Sequence, residues 1–143
     1  MMRSLLDVNV LIAILDSDHV HHVRARDWFT RHVAQGWASC PITQNGCIRI
    51  MSQPAYPNPL PTAAIIDRLA AAARHPRHEF WPDDVSLLDG ATADPTRIHG
   101  SKQVTDLYLL ALSVQHKGRL ATFDDRIPLS SIPGAGKKHL AVI

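Results

Sequence analysis

An α/β domain in three layers, with a central and mostly parallel sheet between helices, is the fold class the sequence predicts. Three observations carry it. Short apolar or β-prone runs at residues 3–7, 37–41, 119–123 and 139–143 alternate with longer runs of helical period between them. The chain has 143 residues, room for one core and no second domain, so residues 1–143 form a single unit. Its composition, 45% hydrophobic and 20% charged, is that of a folded globular protein rather than a disordered one.

Taken in order, residues 3–7 (RSLLD) predict a short strand ending at Asp7, and residues 9–15 (NVLIAIL) a buried helix starting at Asn9. Residues 19–35 place Val20, Val23, Trp28, Phe29 and Val33 on one helical face, with Gly36 as the stop. Residues 37–41 (WASCP) make a second strand. Thr43 then reads as the N-cap of a helix through Ile48, Ile50 and Met51, which the prolines at 54, 57, 59 and 61 terminate. Residues 62–74 are helical by period and alanine content, closed by His75 and Pro76. Phe80, Trp81 and residues 85–88 are short strand or turn segments, and residues 90–101 a loop with one helical turn at most. Residues 102–116 carry Val104, Leu107, Leu110, Ala111 and Val114 at helical spacing before Gly118. Residues 119–123 (RLATF) form a strand, 130–138 a flexible loop and 139–143 (HLAVI) the last strand.

Charge and cysteine content narrow the setting. Lys and Arg number 15 against 13 Asp and Glu, and the isoelectric point near 8.7 permits a polyanionic partner without requiring one. Cys40 and Cys47 have neither metal-ligand nor disulfide spacing and are expected to be buried free thiols. The N-terminal apolar run is broken by Asp7, Asp16 and Asp18, too short and too acidic for a signal or a membrane span, so a soluble cytoplasmic protein is expected.

The chemistry gathers at one edge of the sheet. In an open parallel sheet, ligands bind beyond the carboxyl ends of the strands. Asp7 ends the first strand, Asp124 follows the strand at 119–123, and Asp106 lies in the first turn of the helix from Lys102. Singly, each has an ordinary structural explanation: Asp106 complements a helix dipole, Asp124 makes a turn with Asp125, and Asp7 caps the next helix. Together they repel one another and resist burial unless a divalent cation neutralises them, and hard oxygen donors favour Mg2+ or Mn2+. Such ions activate water for attack on a phosphodiester. Asn9 is placed to cap the helix and hold the Asp7 carboxylate, while Thr105 and Thr122 are candidates to orient an acid or a water.

At Leu6-Asp7-Val8-Asn9-Val10-Leu11, at residues 104–111 (VTDLYLLA) and at residues 120–124 (LATFD) the chain resembles a PIN domain, with the order and spacing of that family's acids. Residues 41–46 (PITQNG) and 80–84 (FWPDD) further resemble the actinobacterial VapC toxin subgroup. The resemblance implies a toxin endoribonuclease dependent on Mg2+ or Mn2+. It also implies a cognate VapB-type antitoxin, usually a homodimer, and structured RNA, either transfer or ribosomal, as substrate. It further implies a Glu after Thr43, where this chain has Gln44, an amide that ligates weakly and cannot serve as a base. Asp125 is a candidate to restore that charge, although strand geometry turns it away from Asp124.

Two competing functions follow from the same residues. Gln44 is compatible with a metal-weak PIN-like module that only binds RNA or antitoxin. Asp7-Val8-Asn9 has the outline of the DxD nucleophile motif of haloacid-dehalogenase phosphatases, against which Asn9 stands in the second acidic position.

The remaining polar and aromatic residues read mostly as structural. The histidines at 19, 21 and 22 fit a solvated helix start better than a metal site, and Trp28, Trp37 and Trp81 fit core packing better than base stacking. Arg24, Arg26, Arg31, Lys102, Lys137 and Lys138 are expected to form a general basic rim.

Overall fold

The parallel sheet of this chain grows in two directions from its centre, and the reversal of strand order falls between the first strand and the fourth. The computed structural model describes residues 2–143. Its strands are β1 (Ser4–Leu6), β2 (Trp37–Ser39), β3 (His78–Phe80), β4 (Arg119–Thr122) and β5 (Leu140–Val142). They lie in the order β3-β2-β1-β4-β5, and every pairing is parallel. The helices are α1 (Val8–Leu15), α2 (His22–His32), α3 (Pro41–Met51), α4 (Thr62–Ala73) and α5 (Val104–Gln115).

Strand periodicity sorts the interior into two cores. Leu5, Ala38 and Leu120 face one side, where α5 packs with Trp81, Ala93, Ile127 and Ile132. Leu6, Trp37 and Ala121 face the other, where α1, α2, α3 and α4 contribute Leu11, Trp28, Cys47 and Ile65. The three layers are therefore unequal: four helices cover one face, and α5 with the long segment between β3 and α5 covers the other. No helix among the described residues is long and apolar enough to cross a membrane. Both cysteines are free and buried, and all three tryptophans are core residues.

Several element boundaries differ from the sequence expectation for identifiable reasons. α1 begins at Val8 because Asp7 itself is the N-cap, its Oδ1 accepting the Val8 N–H at 2.7 Å, so Asn9 is an exposed second-position residue and not the cap. α2 begins only at His22 and buries Ala25 and Trp28, leaving Val20 and Val23 exposed at 85% and 79%. Thr43 is the third residue of α3 and not its cap. The N-cap is Cys40, whose N–H donates to Thr43 Oγ1 at 3.0 Å, and Pro41 takes the first position, where its missing N–H costs nothing.

At the end of α5 it is Lys117, with φ 57°, that takes the left-handed turn. Gly118 serves space instead: a Cβ there would lie 2.6 Å from both the Arg3 carbonyl and the Trp81 ring. The segment 130–138, expected to be flexible, carries single 3-10 turns at Leu129–Ser131 and Lys137–His139. Burial of Ser131 and Ile132 anchors it, with the Ser131 hydroxyl donating to the Arg97 carbonyl at 2.7 Å.

Candidate metal centre

The register of β1 against β4 builds the site. Leu6 pairs with Ala121, and the Asp7 N–H donates to the Ala121 carbonyl at 3.0 Å, so Asp7 and Thr122 leave the sheet side by side at its carboxyl edge. This is the switch point of the sheet, where α1 departs to one face while α5 covers the other, and the gap between them is where open α/β sheets bind ligands. A cleft of about 1130 Å³ opens there, bordered by Asp7, Asp106, Thr122 and Asp124.

Thr122 ties two of the acids together. Its hydroxyl donates to Asp7 Oδ2 at 2.9 Å and accepts the Asp124 N–H at 3.1 Å. Asp7 is only 7% exposed, and both its oxygens are engaged, one by Thr122 and one by Val8 at the positive end of α1. Burial pushes the Asp7 carboxyl above the ordinary range; the Thr122 and Val8 bonds oppose that shift, and the Asp124 charge adds to it. Asp106, half-buried in the first turn of α5, is pushed up to about 6, by burial first and then by the charges of Asp7 and Asp124. Asp7 and Asp106 are thus both raised, by burial first and then by the negative charge of the neighbouring acids, an arrangement that a divalent cation would relieve.

The donor set suits a hydrated hard cation. Among the described residues, no three His, Cys, Asp or Glu side chains stand close enough to hold a metal by themselves. Mg2+ does not ask for that, because it keeps several waters and is held through one or two carboxylates and the substrate's own phosphates. All-oxygen ligands at mutually destabilised carboxylates fit such an ion and fit zinc or copper poorly.

The supporting residues separate into two groups. Thr122 is at the centre, while Thr105 and Asn9 border the cleft from exposed positions. Asn9 makes no hydrogen bond to Asp7, whose oxygens accept from Val8 and Thr122. Gln44 is not in the cleft. Its Nε2 donates to Ser39 Oγ at 2.9 Å, and its side chain lines a separate apolar groove between α3 and α4. The departure expected at Gln44 therefore bears on β2, and not on the acidic cleft.

The face of α3 that does border the cleft carries Ile42, Asn45, Gly46 and Arg49, none of them acidic. Asn45 and Arg49, one helical turn apart, were missed as site residues. Their i, i+4 spacing becomes a signal once the helix is known to start at Pro41. A side chain at Gly46 would have to displace Val8, since a Cβ there would lie 2.9 Å from Val8 Cγ2. Asp125 is exposed at the rim of the cleft.

On the far side of β4, His21 and the Arg24 guanidinium both pack on Phe123, the residue before Asp124, with centroid distances of 5.0 and 4.8 Å. His22 Nδ1–H donates to the Ala13 carbonyl at 2.7 Å, and among the described residues the histidines at 19, 21 and 22 are not gathered into a three-ligand group.

Residues 4–133 match the PIN domain family. The chain is 57% identical over 142 residues to Ribonuclease VapC44 of Mycobacterium tuberculosis, covering 99% of this chain and all of that one. It is 44% identical over 134 residues to Ribonuclease VapC39 of the same species, covering 93% and 96%. Among solved structures it is similar to the VapBC2 complex of Rickettsia felis bound to a promoter DNA fragment. That likeness has a TM-score of 0.57 at 13% identity, covers 89% of this chain and 94% of the other, and bears on the fold alone.

Proposed function

The chain belongs to the PIN domain family, and from that premise we propose that it is the toxin ribonuclease of a toxin–antitoxin pair, hydrolysing RNA phosphodiesters at a Mg2+ or Mn2+ site formed by Asp7, Asp106 and Asp124. The convergence of these acids at the switch point, with the Thr122 hydroxyl tying Asp7 to the Asp124 backbone, is the observation that carries the reading. Membership of this family removes the phosphatase alternative. The proposed partners are a VapB-type antitoxin, a second copy of the chain in a homodimer, and a transfer or ribosomal RNA, in the cytoplasm.

A divalent ion bound there would supply an activated water and neutralise charge on the phosphodiester. The chain's own residues do the positioning. Thr122 holds Asp7 in one orientation, and the Asx turn from Asp124 Oδ1 to the Arg126 N–H, at 2.8 Å, holds Asp124. Asp106 completes the acidic wall from α5. Asn45 and Arg49 present donors to the RNA strand from the opposite wall.

Purified protein incubated with transfer RNA and ribosomal RNA is expected to cut RNA with Mg2+ or Mn2+ and to stop with EDTA. Asp7→Asn, which keeps a capping group for α1, is expected to lose activity by more than the ~10–100-fold typical of a residue behind the metal ligands. Cleavage equal to the wild type by a folded Asp7→Asn would remove the assignment. RNA binding without any Mn2+ affinity in the wild type would favour a binding module over an enzyme.

A further inference from the structure

Behind the acidic wall lies a second, smaller cavity. Asp106 and Asp124 separate the main cleft from a pocket of about 260 Å³ that opens on the other side of the same two carboxylates. This is near the low end of ligand pockets, ~300–1,000 Å³, room for one nucleotide unit and not for a folded strand. Its rim carries donors, Lys102 and Gln103 from the 3-10 turn before α5 and Arg126 from the turn after β4. Its floor is apolar, formed by Leu107, Ile127 and Pro128.

Arg126 is held so that it can serve this pocket. Its backbone N–H and its Nε both donate to Asp124 Oδ1, at 2.8 and 3.4 Å, which fixes the root of the side chain. The side chain is 86% exposed, and its outer guanidinium nitrogens have no hydrogen-bond partner among the described residues. Lys102 is likewise exposed and has no ion-pair partner among them. Two cations with uncommitted donors therefore flank two carboxylates, Lys102 in the smaller pocket alone and Arg126 at the border of both cavities. A carboxylate-bearing ligand would be served by the cations alone. A nucleotide uses the whole pocket: its phosphate meets the two cations, and its ribose or base lies on the apolar floor.

We propose that Lys102 and Arg126 form a phosphate subsite for the RNA residue adjoining the scissile bond, so that the strand runs from the Arg49 side of the main cleft, over the acids, into this pocket. The inference rests on the nuclease reading above. It makes Lys102 and Arg126 positioning residues that act through the backbone of the substrate, Arg126 also pairing with Asp124 through Nε at 3.4 Å.

The test uses the full chain carrying Asp7→Asn, which prevents cleavage, and a fluorescein-labelled single-stranded RNA of twelve mixed nucleotides in Mg2+ buffer. Adding Lys102→Ala and Arg126→Ala together is expected to weaken binding and to lower the slope of log affinity against log salt by about 0.7, the value for one single-strand phosphate contact. Arg74→Ala, at the opposite edge of the sheet, is expected to leave the slope alone. A neutral methylphosphonate walked along the RNA is expected to weaken the parent at one linkage and to leave the double variant indifferent at that linkage.

An unchanged salt slope in the double variant overturns the subsite. So does binding of an acidic peptide that depends on both cations while RNA binding does not. Mn2+ binding and RNA cleavage by the wild-type chain report separately on the nuclease reading, so loss of the subsite and loss of the metal centre are distinguishable.

Discussion

Thr122 shows how much one hydroxyl can hold. It is 1% exposed and serves Asp7 as a donor and the Asp124 backbone as an acceptor, so a valine of the same shape leaves a buried carboxylate oxygen and a backbone N–H short of a partner. Thr122→Val is expected to cost about 1–3 kcal/mol in urea unfolding. It should also weaken Mn2+ binding, read by the loss of free-ion resonance signal, and Thr122→Ser should restore most of both. Mn2+ affinity unchanged in the valine variant would mean that the hydroxyl positions nothing. In the sequence this threonine is indistinguishable from one chosen for strand propensity, because its second role depends on a residue 115 positions away. Asn9 went the opposite way. Two residues after an acid at a helix start, it had the local form of a cap, but Asp7 reached the orphan N–H first.

Elements meet through a few positions where no side chain fits. Gly118 sits between α5 and β4 with the Arg3 carbonyl and the Trp81 ring against it, so it sets how closely the α5 layer approaches the first strand. Gly118→Ala is expected to destabilise the fold by about 1–3 kcal/mol through overpacking. Chemical denaturation measures this, and a stability equal to the wild type would show that Trp81 has room to move. The rotation of α3 about its own axis is a similar matter. Close packing of Gly46 on Val8 turns Asn45 and Arg49 to the cleft and Gln44 to Ser39, a choice made by the contact between α1 and α3. The hydrophobic period of α3 locates its buried face within a residue or so, too coarse to say which of two adjacent polar residues reaches a site.

At the scale of the whole molecule, the site is a cost that the fold carries. A carboxyl whose folded value is raised is a charge that folding disfavours, and Asp106, at about 6, is ionised at pH 7.5 against that preference. Metal-free Asp106→Asn is therefore expected to melt at a higher temperature than the wild type at pH 7.5. Saturating Mn2+ should reverse the order, since an ion at a hundred times its dissociation constant adds about 2.7 kcal/mol to the state that binds it. A metal-free variant less stable than the wild type would contradict an Asp106 carboxylate disfavoured by burial and by the charges of Asp7 and Asp124.

The sequence by itself determined the α/β class, the strand–helix alternation and the ends of the strands on which Asp7 and Asp124 lie. Those follow from periods of 2 and 3.6 residues, which are set by neighbours along the chain. The tertiary structure alone decided the strand order that brings residues 7, 106 and 124 to one switch point, the facing of α3, and the pocket that Lys102 and Arg126 share. These depend on which elements pair and how closely they pack, contacts between residues up to more than a hundred positions apart that leave no local pattern to read.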